Sequence, residues 1–150
     1  MKNLFDVATA DEVKTRIAQL TPQSERQWGK MTVTQMVEHC SRGVEMATGD
    51  KKLPRVFVGR LLGPMVKRMA LGNDKPMQKN SPTAPALVVN DEPEFVMAQE
   101  RLLELVDRFA TAGPAGCTTH PHAFFGKLKP EEWAELMYKH LGHHLRQFGV

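Results

Sequence analysis

His140 and His144 stand four residues apart in the segment from Trp133 to Phe148, a spacing that stacks them one turn above the other on a helix. At about 100° per residue, Trp133, Met137, His140, His144 and Phe148 fall within roughly 80° of one another, flanked by Leu136, Leu141 and Leu145. The two imidazoles therefore occupy the middle of the face that must be buried. Imidazoles at (i, i+4) can converge on one metal ion at about 2.0–2.1 Å, and burial favours the neutral form that ligation requires. Two other readings compete: core histidines held by backbone or carboxylate partners, and a pair that senses pH. A third histidine on a separate helix tips the balance toward metal. His143 lies about 60° further round than His140 and belongs at the rim of such a site, or in an outer position supporting it.

The candidate for the third ligand is His39, in the segment Thr32 to Ala47. There the core stripe is Val33, Met36, Val37, Cys40 and Val44, and His39 lies roughly 100° from its centre, on the flank it shares with Met46. That position suits a groove between helices. Cys40 reads as a small core residue before a thiolate ligand. Glu38 is a poor base for His39, because adjacent helical residues point apart. Spacing excludes two other metal classes. Carboxylate-bridged di-iron bundles need Glu-x-x-His pairs, yet no histidine here has Glu three residues before it, and the His-Glu-x-x-His of zinc proteases is absent. Three neutral histidines on one divalent ion leave positions open for water or substrate, as catalytic sites do.

Helices must position these residues, because sustained period-two alternation is missing; the best short strand candidate is Ala86 to Val89, flanked by Pro85. A first helix is expected from Thr9, with Glu12 completing a capping box, its stripe Ala10, Val13, Ile17 and Leu20 ending at Pro22. The second should be capped by Thr32 with Gln35, stapled by Met31 and Met36, and stopped at Gly49. A further long helix is expected from near Asp91 to Gly113, with the stripe Phe95, Ala98, Leu102, Leu105, Val106 and Phe109. The last opens at Pro130-Glu131-Glu132 and runs to about Phe148. Leu53 to Leu71 has helical spacing interrupted by Gly59, Gly63 and Pro64, and reads as a shorter or kinked helix. Two long connections remain, Gly72 to Asn90 and Ala112 to Lys129. The fold class expected is all-α: a bundle of four main helices with one extra helix and two long loops.

The 150 residues suit one domain over 1–150. No apolar run is long enough to span a bilayer, and Met1 to Val13 holds no signal-peptide core. Two cysteines, Cys40 and Cys117, are too few for a disulfide scaffold, which fits a cytoplasmic location. A net charge of +3 is too small to argue for nucleic acid.

Trp28-Gly29-Lys30-Met31-Thr32 followed by Gln35-Met36-Val37-Glu38-His39-Cys40 resembles the start of the second helix in the DinB-like (DinB/YfiT) metalloprotein superfamily. Phe124-Phe125-Gly126-Lys127-Leu128, Pro130-Glu131-Glu132-Trp133 and the stretch Tyr138 to Gly149 resemble its uncharacterised DUF branch, as does Lys79-Asn80-Ser81-Pro82-Thr83-Ala84-Pro85. The His-x-x-His-His end of the last helix is the most specific part. The resemblance implies a four-helix bundle, typically a homodimer, that binds a divalent ion such as nickel or zinc through His39, His140 and His144. It also implies an activity class, metal-dependent thiol S-transfer or thiol-dependent isomerisation, with a small-molecule thiol and an electrophile as substrates. It names no catalytic residue. The alternative is a metal-stabilised or metal-sensing bundle without turnover that acts through a protein partner. Two positions depart from the pattern. Lys129 stands at an N-cap where Thr or Ser is expected, and His122-Ala123 lengthens its loop, so no role carries over to His120 or His122.

Lys51 to Lys79 concentrates Lys51, Lys52, Arg55, Arg60, Lys67, Arg68, Lys75 and Lys79 against one acid, Asp74. With Leu61, Leu62, Val66 and Met69 among them, a membrane-surface helix is conceivable. The favoured expectation is a solvated charged face over a packed apolar one. A basic wall that receives the carboxylates of an anionic thiol is a third reading. Tyr138 lies off the buried stripe, as rim or interface. Met31, Met36, Met46, Met65 and Met69 are expected to fill core gaps rather than bind metal.

Overall fold

Five helices carry the apolar periodicities in a computed structural model that describes residues 1–150: α1 (Val7–Gln19), α2 (Val33–Thr48), α3 (Phe57–Ala70), α4 (Phe95–Ala112) and α5 (Pro130–Gln147). No strand forms. The Ala86 to Val89 candidate is instead a single 3-10 turn, Pro85–Leu87, and a second such turn follows α4 at Gly113–Gly116. Helices α1, α4, α2 and α5 pack as a ring in that order, so that α1 and α2, consecutive in sequence, stand diagonally across the bundle.

Two helix starts differ from expectation, for one reason. α1 is capped by Asp6, whose carboxylate accepts from Thr9 N at 2.9 Å and from the Thr9 hydroxyl at 2.5 Å, so Thr9 lies inside the first turn. α4 begins at Phe95, capped by the Glu94 carboxylate, which accepts from the N–H groups of Val96 and Met97. In both cases a carboxylate at the N-cap satisfies orphan N–H groups and complements the positive end of the helix. α2 keeps the expected box: Thr32 accepts from Gln35 N at 3.2 Å while the Gln35 side chain accepts from Thr32 N at 3.0 Å. At α5 the lysine cannot accept, and only half a box forms, from Lys129 N to Glu132 at 2.7 Å.

The core stripes of α2, α4 and α5 are buried as their spacing requires, His140 alone keeping partial exposure, and Val13, Ile17, Leu20 and Leu4 from the N-terminal segment join them. Trp133 is the largest fully buried side chain.

α3 sits apart. It makes no substantial contact with the other four helices and rests on the tip of the second long loop. His122 and Gly126 exchange backbone hydrogen bonds across a tight turn there, and Val56 N donates to Ala123 O at 2.9 Å. Gly59 and Gly63 are the two buried positions of α3. A Cβ at either would lie 2.5 or 2.3 Å from the Phe124 carbonyl oxygen, so only glycine allows this approach. The expectation of a packed apolar face on this helix is therefore overturned: Phe57, Val58, Leu61, Leu62, Met65 and Met69 are all exposed. The buried strip is too narrow to admit them.

Candidate metal centre

α2 and α5 are neighbours in the ring, and between them the structure brings together His39, His140 and His144. One ring nitrogen from each lies within 4.8 Å of the others. Nε2 of His39 and Nε2 of His140 are 2.9 Å apart. Such a separation matches two cis ligands about 90° apart on an ion held at about 2.0–2.1 Å. His39, expected on a groove flank, is only 5% exposed because the Pro85–Leu87 turn covers it. His144 is buried as well, while His140 retains partial exposure.

Hydrogen bonds on the far side of two rings set their tautomers. His39 Nδ1–H donates to Leu87 O at 2.9 Å, which leaves Nε2 with its lone pair. His144 Nδ1 is 2.8 Å from Gln147 Oε1. The Gln147 amide is oriented unambiguously, since its Nε2 donates to Trp28 O at 2.8 Å, so Oε1 accepts and His144 Nε2 is also bare. A fixed Nδ1–H partner, present here behind two of the three rings, is the outer arrangement that metal-binding histidines use. His140 differs: its Nδ1 is buried without a partner and faces Gly43, where a Cβ would lie 3.2 Å away. If His140 Nε2 is bare, two lone pairs confront each other at 2.9 Å, an arrangement that a cation relieves. The donor set, all neutral nitrogen, suits a borderline divalent ion.

Electrostatics keep these rings neutral. Burial, reinforced by His39, pushes the His144 pKa down to about 3. Burial lowers His140 well below its usual range, with His144 and His39 adding to the effect. His39 is lowered by burial, although its bond to Leu87 opposes the shift. An unfolded chain thus binds protons that the native rings refuse. What these rings contribute to the stability of the metal-free protein is fully present above about pH 6.5 and is lost as pH falls toward about 3. Denaturant titrations in chelator should show unfolding free energy dropping between pH 6.5 and 4.5, by up to about 1.4 kcal/mol per pH unit for each such ring. A flat profile would contradict the burial.

The remaining predicted residues fall into place around the cluster. His143 is buried against Trp28, whose ring is 5.6 Å away, and against His144 at 5.0 Å; it lies beside the three-histidine group and is not one of its members. Cys40 is buried core, its thiol pushed far up by burial and 3.6 Å from the Met36 sulfur. Glu38 turns to Arg42 and Arg101, each 3.2 Å away. Tyr138 is half-buried at the edge of the core. His120 bonds Leu53 O at 2.9 Å. His122 Nδ1 accepts from the N–H groups of Phe124 and Phe125 at 3.1 Å, and burial lowers its pKa to about 4. Both loop histidines hold the second long loop in place.

Three participants escaped sequence reasoning. Gly43 lies one turn beyond His39 on α2 and makes room for the His140 ring. Gln147, three residues after His144, has a spacing that signals a helical side-chain pair. Gly29 has φ +81, and a Cβ there would lie 2.5 Å from Gln147 Nε2. Replacing Gln147 with Met should weaken metal binding by about 10–100-fold, the usual effect of losing an outer partner, while far-UV circular dichroism stays unchanged; equal affinity by calorimetry would show that the bond to His144 is incidental.

A family model described as a protein of unknown function (DUF1569) matches residues 2–149. Neither the curated proteins nor the solved structures contain a significant match to the chain. A match across nearly the whole length, with the three histidines inside it, places this chain in the DUF1569 family.

Proposed function

We propose that this protein binds a divalent metal ion through His39, His140 and His144 and uses it as a thiol S-transferase. The observation that carries the metal reading is the pair of buried rings whose Nδ1–H groups are tied to Leu87 O and Gln147 Oε1, so that both present bare Nε2 atoms to His140. The resemblance to the DinB-like superfamily supports the same three ligands, nickel or zinc as the ion, a low-molecular-weight thiol as one substrate, and a homodimer. Two free cysteines suit a reducing cytoplasm. Bound there, the ion would supply Lewis acidity that lowers a thiol's pKa toward neutrality.

The chain's own part is to hold and shield. The Pro85–Leu87 turn closes over His39, and Arg42 Nη1 donates to Val88 O at 2.9 Å, pinning the connection that carries the turn. Lys79 lies 4.1 Å over the Trp28 ring and ties an earlier part of the same connection to the α1–α2 loop. The partly exposed His140 marks the side open to small molecules.

Protein purified without added metal should contain or take up one equivalent of nickel or zinc, measured by elemental analysis after dialysis. It should then consume a low-molecular-weight thiol in the presence of an electrophile panel. No uptake removes the metal reading. Uptake without thiol loss leaves the second reading, a metal-stabilised or metal-sensing bundle, which the deep burial of His39 and His144 favours.

A further inference from the structure

α3 is a helix whose apolar side chains face outward. Around its axis Phe57, Leu61, Met65, Val58, Met69 and Leu62 fall within an arc of about 140°, opposite the strip that Gly59 and Gly63 lay against the Phe124 carbonyl. Exposure along the arc is large: 74% for Phe57, 69% for Leu61 and 68% for Met69. Nothing in the fold covers it.

Charge borders that arc on one side. Arg60 and Lys67 lie just beyond Phe57 around the helix, and Arg68 projects beside Phe57 and Leu61. Between them and the second long loop runs a groove of about 660 Å³ that also takes in Arg55 and Lys127, its cations outnumbering its two carboxylates, Glu132 and Glu135. Lys67 is neutralised by Glu132 at 2.7 Å, but Arg55, Arg60, Arg68 and Lys127 have no carboxylate within 4.0 Å. The Arg55 Nε is buried and unpartnered. From Lys51 through Asn73 the chain carries no acid at all.

We propose that α3 is a docking surface for an anionic phospholipid bilayer, lying in the interface plane with its apolar arc in the acyl boundary and its arginine groove receiving headgroup phosphates. An amphipathic helix with Phe and Leu on one face and Lys and Arg on the other binds this way, through apolar burial together with attraction to anionic lipid. Charge decides against a second copy as the occupant. A two-fold contact presents the same patch from both sides, and here it would oppose Arg60 and Arg68 to their own duplicates, while the two acids of the groove are already engaged, Glu132 by Lys67 and Glu135 by Gly72 N and Lys139. The glycine contacts make the geometry stable, since α3 is held by its backbone and needs none of its large side chains to stay in place.

The test uses the full chain, metal-loaded and metal-free, in co-sedimentation with vesicles of phosphatidylcholine alone or with about 30 mol% phosphatidylserine. Both forms should bind the anionic vesicles at least tenfold more tightly than the neutral ones, and added salt should weaken the binding. Leu61→Glu with Met65→Glu should lower it at least tenfold, and Arg60→Glu with Arg68→Glu should erase the preference for phosphatidylserine. Phe57→Trp should give a blue-shifted emission on anionic vesicles. Every substituted residue is exposed, and circular dichroism should be unchanged. The proposal fails if wild type stays in the supernatant with both vesicle types, or if it binds both equally regardless of salt. It also fails if sedimentation equilibrium finds a dimer that Leu61→Glu converts to monomer, which would give the face to a second copy. None of these results depends on whether the centre turns over thiol.

Discussion

His140→Ala should abolish stoichiometric metal uptake, with His39→Ala and His144→Ala doing the same and His143→Ala weakening it at most. His140 sits 2.9 Å from His39 through the two Nε2 atoms, and no other titratable side chain of the chain completes the group. Loss of a direct ligand from a three-residue site should exceed the roughly 10–100-fold that an outer partner carries. Removing His140 also relieves a buried ring nitrogen with no partner. The metal-free variant should therefore be about as stable as wild type while the stabilisation conferred by added metal disappears. At a metal concentration 100 times its dissociation constant, that lost stabilisation is about 2.7 kcal/mol. Paired melts with metal and with chelator would separate the effects, and a His140→Ala protein that still gains stability from nickel or zinc would refute the centre.

Trp133→Ala should be the most damaging core substitution, costing about 3–5 kcal/mol. Its ring is fully buried one turn below Met137 on the stripe that carries His140 and His144, and the His122 ring packs against it at 5.4 Å. The cavity would loosen both the floor of the histidine cluster and the loop on which α3 rests. Trp133→Phe should cost far less. It keeps most of the apolar volume and removes an indole N–H that is buried without an acceptor, a deficit worth about 1–3 kcal/mol. Urea titration of both variants would check the difference. Equal destabilisation by Ala and Phe would mean that the indole nitrogen, not the packing, matters at this position.

Some of the molecule was legible in local sequence because local physics decides it. The (i, i+4) spacing of His140 and His144 puts them on one face of any helix through Pro130–Gln147, and the capping box at Thr32 and Gln35 depends only on residues three apart. The stripe from Phe95 to Phe109 was readable for the same reason. Where local signals compete, the sequence misleads: at α1 the charged Asp6 caps in place of the neutral Thr9, and at α4 two carboxylates, Asp91 and Glu94, offer the same charge, so only the start of the helix at Phe95 decides for Glu94.

The sequence by itself determined an all-helical chain in the DUF1569 family and a register that aligns two histidines on a buried stripe of α5. Only the tertiary structure decided that His39 meets them, because helix phase places a residue on its own helix but says nothing of which neighbour it faces. The same limit hid Gly43, Gln147 and Leu87 O, whose contacts to the cluster cross between segments or depend on an amide oriented from Trp28. It also hid the outward face of α3. An amphipathic pattern tells which side of a helix differs from the other, and here the backbone approach at Gly59 and Gly63 chose the glycine side for burial and left the apolar side in solvent.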